Sequence, residues 1–366
     1  MNVMGGSESL VRNLIRNIDR HRFNPSIAWF YGDNPLQEYV ELNIPLHHVP
    51  KTKSFDFQTM SQLSEIIRKN DIDVVNAHHF LSMAYAYYGC KMKNHRGLMY
   101  TEHSEWEIDS ISWKWKKIGS YMLNRLDRSI GVGENVTKKL KTKFNIPENK
   151  AITINNGVDI NTFHENLKTS LSKKQLGLES NDKVIGMVAN FRKVKNHIFL
   201  LQVFKELLKY QETVKLILVG KDPEGEFDNT LPEVIQFIES ENLSRYVHIL
   251  GYRSDVPELL KIMDVFCLTS LKEGLPIGLI EAMAVCLPVI GTNVEGIRDT
   301  ISNGKNGYLV ELNDKNKMID SLNKLLLDEK LREEMGRESS LIARNKFSLK
   351  ECIDKYQKEI ISASAQ

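Results

Sequence analysis

The chain has 366 residues, of which 42% are hydrophobic and 26% charged, with a net charge of +2. That length suits two domains of ordinary size, and the composition is that of a globular protein. The near-neutral charge gives no nucleic-acid footprint, no apolar run reaches the roughly 18 residues of a membrane span, and the start Met1-Asn-Val-Met-Gly-Gly has no apolar leader core.

In the N-terminal half, Gly5-Gly6-Ser7-Glu8 opens an amphipathic helix with Leu10, Val11, Leu14, Ile15 and Ile18 at helical spacing. A glycine pair before a helix N-terminus lets a phosphate or a substrate approach the backbone, although Gly-Gly alone is more often a plain turn. An α/β domain should have a hydrophobic strand ahead of it. Only Met1–Met4 precede the pair, so the first strand is expected to be short or missing. Strands are then predicted at 26–31, 46–49, 73–77, 97–101, 128–132 and 151–154. Helices are predicted between them at 35–42, 57–69, 82–93, 113–126 and 136–144. This alternation predicts a parallel sheet with helices on both faces, with function gathered at the carboxyl ends of the strands.

Two of those strand ends are polar: Ala77-His78-His79 and Thr101-Glu102-His103-Ser104. A single histidine there is usually structural, but three at two ends suggest an open, functional edge. Zinc is not expected, because Asp and Glu partners at ligand spacing are not evident. Asp71-Ile-Asp73 reads as a solvated turn. Cys90, Cys267, Cys286 and Cys352 show no CxxC pairing, which predicts reduced thiols of a cytoplasmic protein. The segment with Trp106, Trp113, Trp115 and Tyr121 also carries Lys114, Lys116, Lys117, Arg125 and Arg128. Either this helix lies on an anionic membrane surface, or its tryptophans fill core and its lysines are solvated.

Asn155-Asn-Gly-Val-Asp159 ends the first half in a turn, and the polar stretch 163–182 reads as a linker. A second alternation follows. Its strands are at 183–188, 214–219, 247–250, 264–270 and 287–290, with a hairpin-like end at 304–310. Its helices are at 198–210, 232–241, 256–263, 277–285, 316–327, 330–347 and 349–361. Three strand ends converge on a candidate site. The first carries a basic loop, Asn190-Phe-Arg192-Lys-Val-Lys195-Asn196. The second is Glu273-Gly274-Leu275-Pro276-Ile277, leading on to Glu281. The third is Gly291-Thr-Asn-Val-Glu-Gly296. The second is a strand, a glycine loop and a helix N-terminus with Pro276 as its first residue, which presents free N–H groups and a dipole to a phosphate. If the stretch were helical throughout, its two carboxylates would stand about 12 Å apart. Each could accept a pair of sugar hydroxyls.

With these residues in this order, the chain resembles the retaining glycosyltransferases of family four. Glu273 and Glu281 match that family's Glu-x7-Glu motif. Pro288-Val-Ile-Gly-Thr292, Gly296 and Gly304-Lys-Asn-Gly307 fit downstream, Asn156-Gly-Val-Asp159 with Phe163 matches the hinge, and Gly251-Tyr252-Arg253-Ser-Asp-Val256 matches the nucleobase loop. The resemblance implies the α/β GT-B fold: two Rossmann-like domains, with a cleft between them. They would be an acceptor domain at 1–163 and a nucleotide-sugar domain at 164–346, with a C-terminal helix at 347–366 packing back on the first. It implies that Glu281 holds the donor ribose, Glu273 the transferred sugar, and Arg192 and Lys195 the diphosphate. His103 would face the donor sugar near the reacting bond. Gly6, Gly220, Tyr252, Arg253, Gly274, Leu275, Pro276 and Ile277 would complete the donor side, and Gly5, His78 and His79 would lie on the acceptor side. No metal or other cofactor is implied, since Arg, Lys and the helix dipole carry the leaving charge.

The implied activity is transfer of a sugar from a nucleotide sugar, UDP-hexose or UDP-N-acetylhexosamine, to a growing and in one form lipid-linked glycan. Capsule, exopolysaccharide or lipopolysaccharide assembly would be the setting, in the cytoplasm or at the inner face of the membrane. Two departures stand out: Asn190 sits where the family commonly has Arg, with Arg192 standing in, and the full hydrophobic strand that the family has before Gly5-Gly6 is missing. The alternative reading is a catalytically inactive GT-B binding protein. A nicotinamide-dependent Rossmann enzyme is disfavoured, because no Gly-x-Gly-x-x-Gly follows a strand with an acid about 20 residues on.

Overall fold

The computed structural model describes residues 6–32, 34–51, 56–92, 97–223, 225 and 228–365. The apolar runs form parallel strands and the amphipathic segments cover them, in two units. One runs to Gly157 and takes in the chain again from Leu349, and the other is Val158–Ser348. The division falls six residues ahead of the polar stretch read as a linker. That stretch folds onto the second unit instead. Ser172 and Gln175 form a reciprocal capping box, Leu176 and Leu178 are buried, and Glu258 accepts hydrogen bonds from Thr169 and Ser170.

In the second unit the strands, numbered in chain order, are β7 (Lys183–Val188), β8 (Val214–Val219), β9 (Val247–Gly251), β10 (Val265–Leu268), β11 (Val289–Thr292) and β12 (Gly307–Val310). Their order is β12-β11-β10-β7-β8-β9, all parallel. The chain builds outward from β7 to β9, then returns to the other side of β7 and builds out to β12. The direction reverses between β7 and β10, and the crevice at such a switch point is where doubly wound sheets bind ligands. β10 and β11 are buried along their whole length, as strands covered on both faces must be. The 304–310 segment is not a hairpin. Asn306 accepts a hydrogen bond from the Ser302 N–H at 2.7 Å, and the turn feeds β12 in parallel register onto β11.

In the first unit β1 (Ile27–Trp29) and β2 (Leu46–His48) form a parallel pair. β3 (Val75–His78), β4 (Leu98–Glu102), β5 (Arg128–Gly131) and β6 (Ala151–Thr153) form a parallel sheet in that order. Met1–Met4, the place of the expected first strand, and Gly5 lie outside the described residues. The core is built on Met83, Tyr85, Met99, Tyr100, Met122 and Phe144, each at most 1% exposed. The C-terminal helix Leu349–Ser364 belongs here: Tyr356 is fully buried, and Glu359 pairs with Arg128 at 2.5 Å. The helix expected at 113–126 spans Trp113–Leu123, and a separate short helix, Glu105–Ser110, precedes it. No helix among the described residues is long and apolar enough to cross a membrane.

Candidate active site

In the second unit the loop after β7 is fixed at both ends. Phe191 and His197 are buried and stacked, with ring centroids 4.7 Å apart. Burial holds the His197 imidazole neutral, down at about 4. Between them a short turn, Lys193–Lys195, ends at Asn196, whose left-handed backbone (φ 55°) starts the helix His197–Leu207. The loop after β10 is fastened to it. Thr269 Oγ1 donates to the carbonyls of Lys195 (3.2 Å) and Asn196 (3.1 Å), and the Leu271 N–H donates to Val194 (2.8 Å). These bonds bring Lys195 Nζ to 2.6 Å from Glu273 Oε1, and Ser270 Oγ donates to the same oxygen at 2.6 Å. The Glu273 side chain is only 9% exposed.

The helix Ile277–Ala284 starts over this pair with no side-chain cap. Pro276 is its N-cap and not its first helical residue. Residues 273–276 are therefore outside the helix, and the 12 Å separation predicted for a fully helical stretch does not apply. Gly278 lets the helix start approach β7, since a Cβ there would sit 2.9 Å from the Val188 carbonyl. Gly296 is more constrained. Its φ is +78°, and a Cβ would stand 2.5 Å from the Gly274 carbonyl and 2.8 Å from that of Glu273. Thr292 Oγ1 also donates to the Ser270 carbonyl at 2.5 Å. The ends of β7, β10 and β11 are thus knitted around Glu273, Gly274, Leu275 and Pro276. Glu281 lies one turn along the helix, partly buried.

Other predicted donor residues are placed less directly. Arg192 is turned to Asp228, with its Nη1 2.9 Å and 3.2 Å from the two carboxylate oxygens, so in this state its charge is shared with that acid. Asn190, the departure from the family's Arg, holds the neighbouring loop in place, because its Oδ1 accepts the Lys221 N–H at 3.0 Å, next to Gly220. Arg253 is paired with Asp255 at 2.7 Å and 2.5 Å, and Tyr252 is 56% exposed beside it.

In the first unit the register of β3 on β4 sets His78 opposite Thr101, so both histidine-bearing strand ends lie side by side. His78 Nδ1 is 2.9 Å from His103 Nε2, and His79 Nδ1 is 2.9 Å from Glu107 Oε2. Glu102, fully buried, accepts the N–H groups of His103 (2.8 Å) and Ser104 (3.2 Å) and the Tyr100 hydroxyl. Burial and the neighbouring Glu107 charge raise the Glu102 carboxyl to about 7. Burial and His79 lower His78 to about 3, and burial with both neighbours holds His103 well below the usual range. For His79 burial acts downward, but the bond and charge of Glu107 outweigh it, so its pKa is raised. His79 also has a positive φ of 69°, a strained backbone of the kind found at functional edges. Gly6 opens the helix Gly6–Asn17 and is exposed.

Sequence reasoning found no acidic partners for a metal here. The fold supplies them: ligand atoms of His79, Glu102 and Glu107 lie within 4.8 Å of one another. Each residue already has a hydrogen-bond partner, so as placed they form a polar network. Glu107 was missed because it sits 28 residues from His79 on the short helix that periodicity did not reveal.

Two parallel α/β units with polar and charged side chains at their strand ends have the doubly wound architecture that binds ligands at the carboxyl ends of its strands. Residues 4–162 match the family model described as Glycosyltransferase Family 4, and residues 168–340 match that described as Glycosyl transferases group 1. The chain is similar to N-acetyl-alpha-D-glucosaminyl L-malate synthase of Bacillus anthracis, at 28% identity over 87% of this chain and 82% of that protein. It is also similar to an Escherichia coli enzyme, UDP-Gal:alpha-D-GlcNAc-diphosphoundecaprenol alpha-1,3-galactosyltransferase, at 26% identity over 88% and 84%. Among solved structures, Anabaena HepE in complex with UDP and glucose superposes with a TM-score of 0.84 at 20% identity, covering 98% of this chain and 96% of that one. The chain belongs to the family-four glycosyltransferases and has the GT-B fold.

Proposed function

We propose that this glycosyltransferase moves a hexose or N-acetylhexosamine from a UDP-linked donor to a growing, lipid-linked glycan, with retention of anomeric configuration and without a metal ion. The observation that carries the reading is the Lys195–Glu273 pair at the switch point of the second unit. A lysine there neutralises diphosphate charge. The adjacent carboxylate accepts sugar hydroxyls, and the uncapped helix start adds N–H donors. The acceptor oxygen attacks the anomeric carbon on the face from which the diphosphate leaves. The C–O bond to phosphate breaks, and the departing phosphate oxygen takes the acceptor's proton. Lys195, Arg192 once released from Asp228, and the helix dipole stabilise the charge that develops. Glu281 holds the ribose, Tyr252 and Arg253 flank the base, and His103 donates a hydrogen bond to the sugar.

The lipid-linked acceptor and a peripheral membrane position rest on the helix Trp113–Leu123. Trp113 is 66% exposed and Tyr121 49%, so these aromatics do not fill core. Lys114 and Lys117 flank the Trp113 ring at 5.7 Å and 5.6 Å. The names of the relatives, one acting on a diphosphoundecaprenol-linked sugar, support the same setting.

A thermal-shift screen of nucleotide sugars, followed by transfer of radiolabelled sugar to lipid-linked acceptors, tests the reading. Stabilisation by a UDP-sugar and transfer that survives chelation of divalent metals are expected, with product NMR showing the donor's own anomeric configuration. Stabilisation without transfer to any acceptor would favour an inactive binding protein.

A further inference from the structure

His103 is reached from behind by a continuous polar chain in the first unit, and the chain has a direction. Thr101 Oγ1 donates to Asn76 Oδ1 at 3.0 Å, and the Tyr356 hydroxyl lies 3.5 Å from Thr101 Oγ1. The Asn76 amide therefore turns its Nδ2 to His78 Nε2, at 3.3 Å. An amide N–H₂ can only donate, so His78 Nε2 is an acceptor. A neutral His78 then carries its proton on Nδ1 and gives it to His103 Nε2, 2.9 Å away. That makes His103 Nε2 an acceptor, and the one remaining imidazole proton of a neutral His103 is on Nδ1. This Nδ1 is covered and has no hydrogen-bond partner among the described residues. A covered N–H without an acceptor is destabilising, because it has given up its hydrogen bond to water for nothing.

The opposite assignment is less favourable. With the amide reversed, Thr101 would have to donate to Tyr356, and the hydroxyl proton of a fully buried tyrosine would have no acceptor among the described residues. Both arrangements leave one donor over. The first leaves it on His103, which follows β4 and is partly exposed as a residue, although the Nδ1 itself is covered in this state. The second seals it in the interior.

We propose that Asn76 and His78 are positioning residues that fix His103 in its Nδ1–H tautomer and reserve that N–H for an oxygen of the bound sugar. The part concerning the sugar rests on the glycosyltransferase reading given above, and the tautomer does not. His78, expected on the acceptor side, takes on this supporting role.

The wild-type protein labelled with ¹⁵N-histidine decides the tautomer directly, with His103 signals identified by their loss in His103→Gln. Imidazole ¹⁵N shifts of a neutral ring protonated at Nδ1 are expected at pH 7.5. A ring protonated at Nε2, or an imidazolium, overturns the proposal. In His78→Phe the donor to Nε2 is gone. His103 should then show a mixture that includes the Nε2–H form, and kcat should fall by about tenfold or more while stabilisation by UDP is unchanged. His103 remaining wholly Nδ1–H in that variant, with kcat unaltered, removes the role given to His78. An Nδ1–H ring in a chain that transfers no sugar would leave the tautomer assignment standing and count against the functional reading alone.

Discussion

Lys195 and Glu273 come from loops 78 residues apart and meet at 2.6 Å over the point where the second unit's sheet reverses direction. Neither loop holds its partner by chance. Thr269 bonds the lysine's own carbonyl, Ser270 bonds the glutamate, and the Leu271 N–H ties the two backbones together. The pair is pre-formed; on the proposed reading, a donor's diphosphate would replace Glu273 as the partner of Lys195 and free Glu273 for hydroxyls. Preorganised charge of this kind acts without reorganisation at the moment of reaction.

Replacing either member should therefore affect transfer far more than folding. For Lys195→Ala and Glu273→Ala we expect sugar transfer to fall by about 10²-fold or more, with far-UV circular dichroism unchanged. Lys195→Ala leaves Glu273 its Ser270 hydrogen bond, so the carboxylate is not stranded. Radiolabelled-donor assays of the two variants check this, and near wild-type turnover in both would sink the site assignment.

Gly296 makes a prediction about the same loop through backbone alone. Its φ of +78° and the 2.5 Å approach to the Gly274 carbonyl leave no room for a methyl group. Gly296→Ala should destabilise the second unit by about 1–3 kcal/mol from strain and move the Glu273 loop off the Lys195 ammonium. Urea denaturation together with UDP affinity checks it. Unchanged values for both would show that the loop is not held by this contact.

The strand–helix alternation and the Glu273–Glu281 stretch were legible because apolar periodicity and glycine loops are local signals. Pairings across long separations were not. Arg192 reads as a phosphate ligand in sequence, but it bonds Asp228, 36 residues on, and no pattern announces that. Asn190 looks like a loss relative to the family until its bond to the Lys221 N–H is seen. The polar stretch 163–182 looks like a linker because its buried anchors are few, Leu176 and Leu178 among them. One signal was present and unused: Asn76 and Thr101 are polar residues inside strands that should be apolar, and a buried polar side chain must have a partner.

Glu102 links that polar interior to pH. Its folded pKa of about 7 lies above the ordinary carboxylate value of 4.5. Between those two values the folded state holds a proton that the unfolded chain has lost, so stability falls as pH rises through the window. Glu102→Gln keeps an acceptor for the His103 and Ser104 N–H groups and abolishes the ionisation. The variant should match wild type near pH 4.5 and exceed it at pH 8 by up to about 3 kcal/mol. Denaturation curves across this range check it, and parallel pH profiles for the two proteins would refute the assignment.

The aromatic and basic face of Trp113–Leu123 gives the last prediction. Trp113, Ile118 and Tyr121 are each at least 40% exposed on one short helix, and Lys114, Lys116 and Lys117 are exposed among them. Arg125 stacks on the Tyr121 ring at 3.6 Å, which holds that aromatic at the surface. An anionic bilayer would satisfy both components at once: each lysine near its surface would contribute about 1 kcal/mol, and the tryptophan would sit at the headgroup level. The protein should co-sediment with vesicles containing anionic lipid and not with neutral ones, and the binding should weaken as salt is raised. Lys114→Glu with Lys117→Glu should abolish it. Trp113→Ala should weaken it at every salt concentration, because burial of the ring in lipid is not screened. Neither substitution touches Lys195 or Glu273, so turnover on a water-soluble acceptor should stay at wild-type level while turnover on a lipid-linked acceptor in vesicles falls. Equal vesicle binding by wild type and the double-glutamate variant would remove this face from the acceptor's path.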